Sequence, residues 1–162
     1  MEKRISKSLM GIAIAVMILC AIQIVWIIVQ SWFVSGINGS TGEINWNEAV
    51  LPFQLTIFGG RLLFTVCYFA LIILFLIKTL KALNDGTLFP KSNVKVLYAT
   101  AVCHLIGKLC DDNMGNILLS ETPTQTYFAI ESSSIIITLL FIIFAMIYKI
   151  AAKVSEENNL TI

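Results

Sequence analysis

The chain has 162 residues, of which 57% are hydrophobic and only 13% charged, and its formal net charge is +1. A soluble domain of this size could not hide so much apolar surface, whereas a lipid-facing one has no need to. A net charge so near zero gives no electrostatic case for direct nucleic-acid binding.

Four apolar runs follow one another: Leu9–Val34, Phe58–Ile77, Val94–Leu109 and Tyr127–Ile150. Each is near the ~20 residues that cross the hydrocarbon core of a bilayer as a helix. The first run is too long for a signal-peptide core, and no small-x-small cleavage site follows it. Leu19 stands before Cys20 where a lipoprotein signal needs a small residue, so the first run is expected to be a permanent helix. The stretch Ser35–Gly42 reads as turn, and Leu51–Ile57 reads as a short strand or an interfacial segment, which periodicity does not separate. After the second run, Asn84-Asp-Gly86 signals a turn and Pro90 argues against a continuous helix. The second helix should therefore overrun to about Leu83, and the third should begin near Ser92 as its N-cap.

Basic residues fall in alternate gaps. Lys3, Arg4 and Lys7 precede the first run, Lys78, Lys81, Lys91 and Lys95 lie between the second and third, and Lys149 and Lys153 close the fourth. Only Arg61 and Lys108 remain for the other side. This positive-inside pattern predicts an all-α membrane protein, a four-transmembrane-helix antiparallel bundle with both termini cytoplasmic. The spans are expected at about 9–34, 58–83, 92–110 and 127–150 within a single domain, 1–162. Outer loops would cover 35–57 and 111–126, a cytoplasmic loop 84–91 and a cytoplasmic tail 151–162. The bilayer is then the first partner.

The third run carries most of the polar chemistry. Thr100, His104, Lys108 and Asp111 share one helical face, and Ala99, Cys103 and Gly107 form a small-residue ridge beside it. On the fourth run Tyr127, Glu131, Ser134 and Thr138 share a face. Counting inward from the outer surface sets Lys108 near Glu131, His104 at Ser134 and Thr100 at Thr138, a polar seam with Lys108–Glu131 as its ion pair. Gln23 and Arg61 are candidates to complete it. The seam has two readings. It can be bundle glue, with hydrogen bonds worth ~0.6 kcal/mol each on average. It can also be a proton or ligand site, since intramembrane ionisable groups often mark pathways.

Other chemistry is poorly supported. The four cysteines, Cys20, Cys67, Cys103 and Cys110, include no C-x-x-C, which disfavours a membrane thiol-redox enzyme. Adjacent Cys103 and His104 point about 100° apart on a helix, and no helix-spaced zinc motif is present, so no metal or cofactor is expected. No catalytic constellation stands out, and the chain is read as non-enzymatic.

Gly86-Thr-Leu-Phe89 followed by Ser92-Asn-Val94, together with the ending Glu156-Glu-Asn-Asn-Leu-Thr-Ile162, resembles the small bacterial four-helix membrane proteins grouped as domain of unknown function 2975. Lys91 and Lys95 flank the loop motif here, and Asn159 stands where an acidic residue is common in that family. The family has no established activity, so the resemblance implies architecture and a bacterial cytoplasmic (inner) membrane location. Its members are often encoded beside a small helix-turn-helix regulator. The resemblance thus implies a sensor or tether whose docking surface would include Gly86, Phe89, Asn93, Glu156, Glu157 and Leu160. The bland alternative is a tight turn and a frayed helix end. A further alternative is a small transporter or channel subunit that uses the seam as a homo-oligomer.

Overall fold

The computed structural model describes residues 2–34, 44, 46–85, 89–118 and 128–159, without the side chains of 2–7, 33, 34, 116, 158 and 159. Those residues form four helices and no strand: α1 (Glu2–Val34), α2 (Leu51–Asn84), α3 (Ser92–Ile117) and α4 (Ser132–Asn159). Three of them, α1, α2 and α4, are long and apolar enough to cross a membrane. At 1.5 Å per residue the 33 residues of α1 span about 50 Å, more than the ~30 Å hydrocarbon core of a bilayer. The shorter α3 carries Lys95, Lys108, Asp111 and Asp112 and falls outside that class.

Several boundaries differ from those expected of the sequence. α2 begins at Leu51 rather than 58, so Leu51–Ile57 is neither strand nor loop. Pro52 sits in the first turn, where its missing N–H costs nothing and its fixed φ suits a helix. α3 runs to Ile117 rather than 110, and Asp111 and Asp112 are helical instead of opening a loop. α4 starts at Ser132 rather than 127, and Ala129 and Ile130 precede it in non-helical backbone. It continues to Asn159, so most of the expected tail is helix. Lys91, not Ser92, occupies the N-cap position of α3.

The packing also departs from a four-helix bundle in which every helix has two neighbours. Among the described residues, helix backbones approach in chain order only, α1 on α2, α2 on α3 and α3 on α4. Aromatic side chains then close α2 onto α4, with Phe75 and Tyr148 ring centroids 5.7 Å apart and Tyr68 and Phe141 5.9 Å apart. α2, α3 and α4 thus form a three-helix core, and α1 leans on α2 from outside. Its covered stripe is Met10, Ala13, Val16, Met17, Cys20, Ile24, Ile27 and Ser31, which recurs every three or four residues apart from the adjacent Val16 and Met17. That is the seam of one helix lying along one partner.

Burial is inverted relative to a soluble protein. On α4 the covered positions are Ser134, Thr138, Ala145, Tyr148 and Ala152, while Ile136, Leu140, Ile143, Ile147 and Ile150 are exposed. Small and polar residues at helix contacts, with branched aliphatics outside, is the arrangement that packing in lipid favours.

Candidate functional site

α3 lies between α2 and α4, so every side chain on its polar ridge meets protein. Glycine permits the closest approach. A Cβ on Gly107 would stand 3.1 Å from Thr65 Oγ1 and 3.3 Å from Thr65 N, and one on Gly60 would stand 2.8 Å from Cys110 Sγ. The small-residue ridge of α3 therefore beds against α2, at Gly107.

His104 is buried, and its Nδ1 lies 3.0 Å from Thr138 Oγ1. The single hydroxyl proton of Thr138 is already donated to Ser134 O at 2.8 Å. His104 must then donate from Nδ1–H, which leaves Nε2 as the acceptor of the neutral ring. Tyr68 and Phe141 flank the imidazole at 5.2 and 6.2 Å between centroids. Thr100, also buried, bonds back to Val96 O of its own helix at 2.8 Å, and the buried Ser134 hydroxyl has no partner among the described residues.

The α3–α4 register is one helical turn away from the sequence expectation. His104 meets Thr138 rather than Ser134, Asn93 reaches Tyr148 OH at 3.2 Å, and Asp112 meets Glu131. The reason is the misplaced helix ends: α3 is longer and α4 starts later, so counting inward from assumed ends slides one helix along the other. Lys108 consequently does not pair with Glu131. Its Nζ lies 2.8 Å from Asp111 and 3.2 Å from Asp112. Glu131 precedes α4, where its carbonyl accepts from Ser134 N, its N–H donates to Asp112 at 2.9 Å and its carboxylate accepts from Ser133.

Arg61 does join this cluster, with Nε 2.8 Å from Asp111 Oδ1. Gln23 is exposed on α1 and does not. Asp111 thus faces two cations at once, Lys108 and Arg61.

Two amides that the sequence did not single out complete this end. Asn113 is fully buried and receives Ala129 N–H at 2.8 Å while donating to Ala129 O at 2.6 Å, a two-point clamp on the segment entering α4. Gln54 donates to Ile117 O at 2.9 Å and accepts from Asn47 N at 3.0 Å, tying α2 to the end of α3. The available signal was an amide placed among apolar residues, in Leu51-Pro-Phe-Gln-Leu55 and beside Asp111-Asp112.

Between these features lies a cavity of about 150 Å³ lined by Thr65, Tyr68, Phe69, Cys103, His104, Gly107 and Lys108. Drug-sized sites run to about 300–1,000 Å³, so this one has room only for water-sized or similarly small species. It offers an imidazole acceptor, hydroxyls and an ammonium already held by two carboxylates. Among the described residues no three His, Cys, Asp or Glu side chains come together as a metal site.

At the other end the expected docking residues separate. Asn93 is fully buried, with Nδ2 2.8 Å from Thr79 Oγ1, so it ties α3 to α2 and α4 and is not available to a partner. Phe89 packs edge-on against Tyr148 at 5.4 Å, Glu156 pairs with Lys91, and Glu157 lies 3.7 Å from Lys153. Gly86 and Leu160 lie outside the described residues, as does Tyr127.

No family model, curated protein or solved structure matches the chain.

Proposed function

We propose that this chain is a non-enzymatic, four-span protein of the bacterial cytoplasmic membrane, with both termini cytoplasmic, that acts as a sensor or tether for a helix-turn-helix regulator. The membrane half rests on the outward apolar faces of α1 and α4 and on the three helices long enough to span. α3 would be the fourth span, its charged end stabilised by Arg61, Asp111 and Asp112 rather than by lipid. The regulator comes from the resemblance of 86–94 and 156–162 to domain of unknown function 2975.

One observation carries the tether. The loop at Phe89–Lys91 and the end of α4 at Glu156, more than sixty residues apart, are joined by the Lys91–Glu156 pair, and Phe89 packs on Tyr148 of the same helix. A partner could read both segments at once. Reporter fusions at Asn84 and Asn158 should report the same, cytoplasmic, face. Detergent pull-down should recover a DNA-binding protein that is lost when Phe89 and Glu156 are both replaced by alanine. Fusions on opposite faces would remove the topology, and an unchanged transcriptome on deletion would remove the tether.

The His104 cavity favours a second reading, a small transporter or channel subunit. Liposome flux of small ions that falls in His104→Ala would support it, and flux indifferent to that change would dispose of it.

A further inference from the structure

We infer that the groove between α3 and α4 at the Asn93 end is a binding site for an anionic glycerophospholipid, its phosphate held by Lys95 and Lys149 and one acyl chain lying on the apolar floor below them. The inference rests on the membrane reading above and adds a ligand to it.

The groove has a volume of about 740 Å³, and its lining includes four lysines against a single carboxylate, Glu156. Two of those cations are already engaged, Lys91 with Glu156 and Lys153 with Glu157. Lys95 and Lys149 have no carboxylate partner among the described residues. In the register that sets Asn93 against Tyr148, they stand at one level on facing helices. Two ammonium groups lining one groove give an anion between them two charge-assisted contacts.

The depth order identifies the anion's carrier. Tyr98 and Met146 lie three residues inward of the two lysines, about 4.5 Å deeper at 1.5 Å per residue. Those two side chains make the apolar floor, and Val94 and Ile150 line the groove at the level of the lysines themselves. A cation rim over a hydrocarbon floor matches a headgroup above its acyl chain, while a free phosphate would gain nothing from the floor. The groove also opens sideways: Met146 is 53% exposed and Ile150 64% exposed, continuous with the outward aliphatic face of α4. A soluble protein partner could not reach that side, but a lipid already lies there. Basic pockets between spanning helices on the cytoplasmic side bind anionic headgroups by this chemistry.

The test uses the full chain in neutral detergent, titrated with phosphatidylglycerol or phosphatidylcholine and read by native mass spectrometry. Phosphatidylglycerol should bind about thirtyfold more tightly, as expected of two lysines near an anionic headgroup. Lys95→Gln/Lys149→Gln should abolish the preference, with circular dichroism confirming an unchanged fold. Lys78→Gln/Lys81→Gln, on α2 and outside the groove, should leave it intact. Equal binding of the two lipids, equal loss in both double variants, or competition by free glycerol 3-phosphate at lipid concentrations would each overturn the site. Carbonate extraction run alongside separates the two ideas. A chain that carbonate removes from vesicles fails the membrane reading, whereas a retained chain without lipid preference fails only this proposal.

Discussion

The two ends of the helical core use the same residue types to opposite effect. At the Asp111 end both cations, Arg61 and Lys108, are consumed by Asp111 and Asp112, and the amide of Asn113 is matched at oxygen and nitrogen alike. At the Asn93 end the amide donates to Thr79 and Tyr148, and among the described residues its oxygen has no partner and Lys95 and Lys149 have no carboxylate. One end is electrostatically closed and the other has capacity left over. The contrast teaches that cation count alone does not mark a binding surface, because what matters is whether the fold has already supplied the counter-charge.

The contrast can be broken most directly at the two amides. Asn113→Ala strands both the N–H and the carbonyl of Ala129 and should cost about 3 kcal/mol, at about 1–3 kcal/mol per unsatisfied buried group. Asn93→Ala removes only donated bonds and an already unpartnered oxygen, and should cost about 1 kcal/mol. Unfolding in mixed micelles measures both, and an Asn93 variant as damaged as the Asn113 one would erase the distinction between the ends. Next in size is the α2–α3 contact beside the His104 cavity. Gly107→Ala places a methyl against Thr65 backbone and should destabilise by about 2 kcal/mol, as overpacking does. Gly59→Ala meets nothing within 4 Å and should stabilise by up to about 1 kcal/mol through helix propensity.

A smaller effect, about 1 kcal/mol, is expected of Asp111→Asn, because the side chain is partly exposed and water screens its pairs. The same unfolding measurement reads it, and a loss as large as that of Asn113→Ala would show that the cluster is shielded from water. Smallest is Thr138→Val, which removes one intramembrane hydrogen bond to His104 worth about 0.6 kcal/mol. A double-mutant cycle with His104→Ala isolates that coupling, and a value near zero would show that the ring is held by Tyr68 and Phe141 instead.

The one-turn slip of α3 against α4 shows where legibility ended. Helical periodicity put Thr100, His104, Lys108 and Asp111 on one face, and that face does meet protein. Periodicity has no information about axial offset, however, and the offset decides which residue each side chain meets. Glu131 illustrates the cost. Its spacing to Ser134 and Thr138 suggested a helical face, yet it stands before the helix because Asn113 captures Ala129 and fixes the entry of α4. A contact sixteen residues away in sequence, made by an amide on another helix, overrides the local pattern. Asn93 was misjudged for the same reason: a polar residue beside a turn looks exposed until α2 and α4 close over it.

By itself the sequence determined the helical character, the long apolar segments and the faces that carry polar groups, since these depend on composition and on 3.6-residue periodicity within one segment. Only the tertiary structure decided that α1 stands outside a three-helix core, that Lys108 answers to Asp111 and Asp112, and that Lys95 and Lys149 line one groove between α3 and α4. Those outcomes depend on how far one helix slides along the next, and packing at Gly107 and clamping at Asn113, Gln54 and Asn93 set that distance.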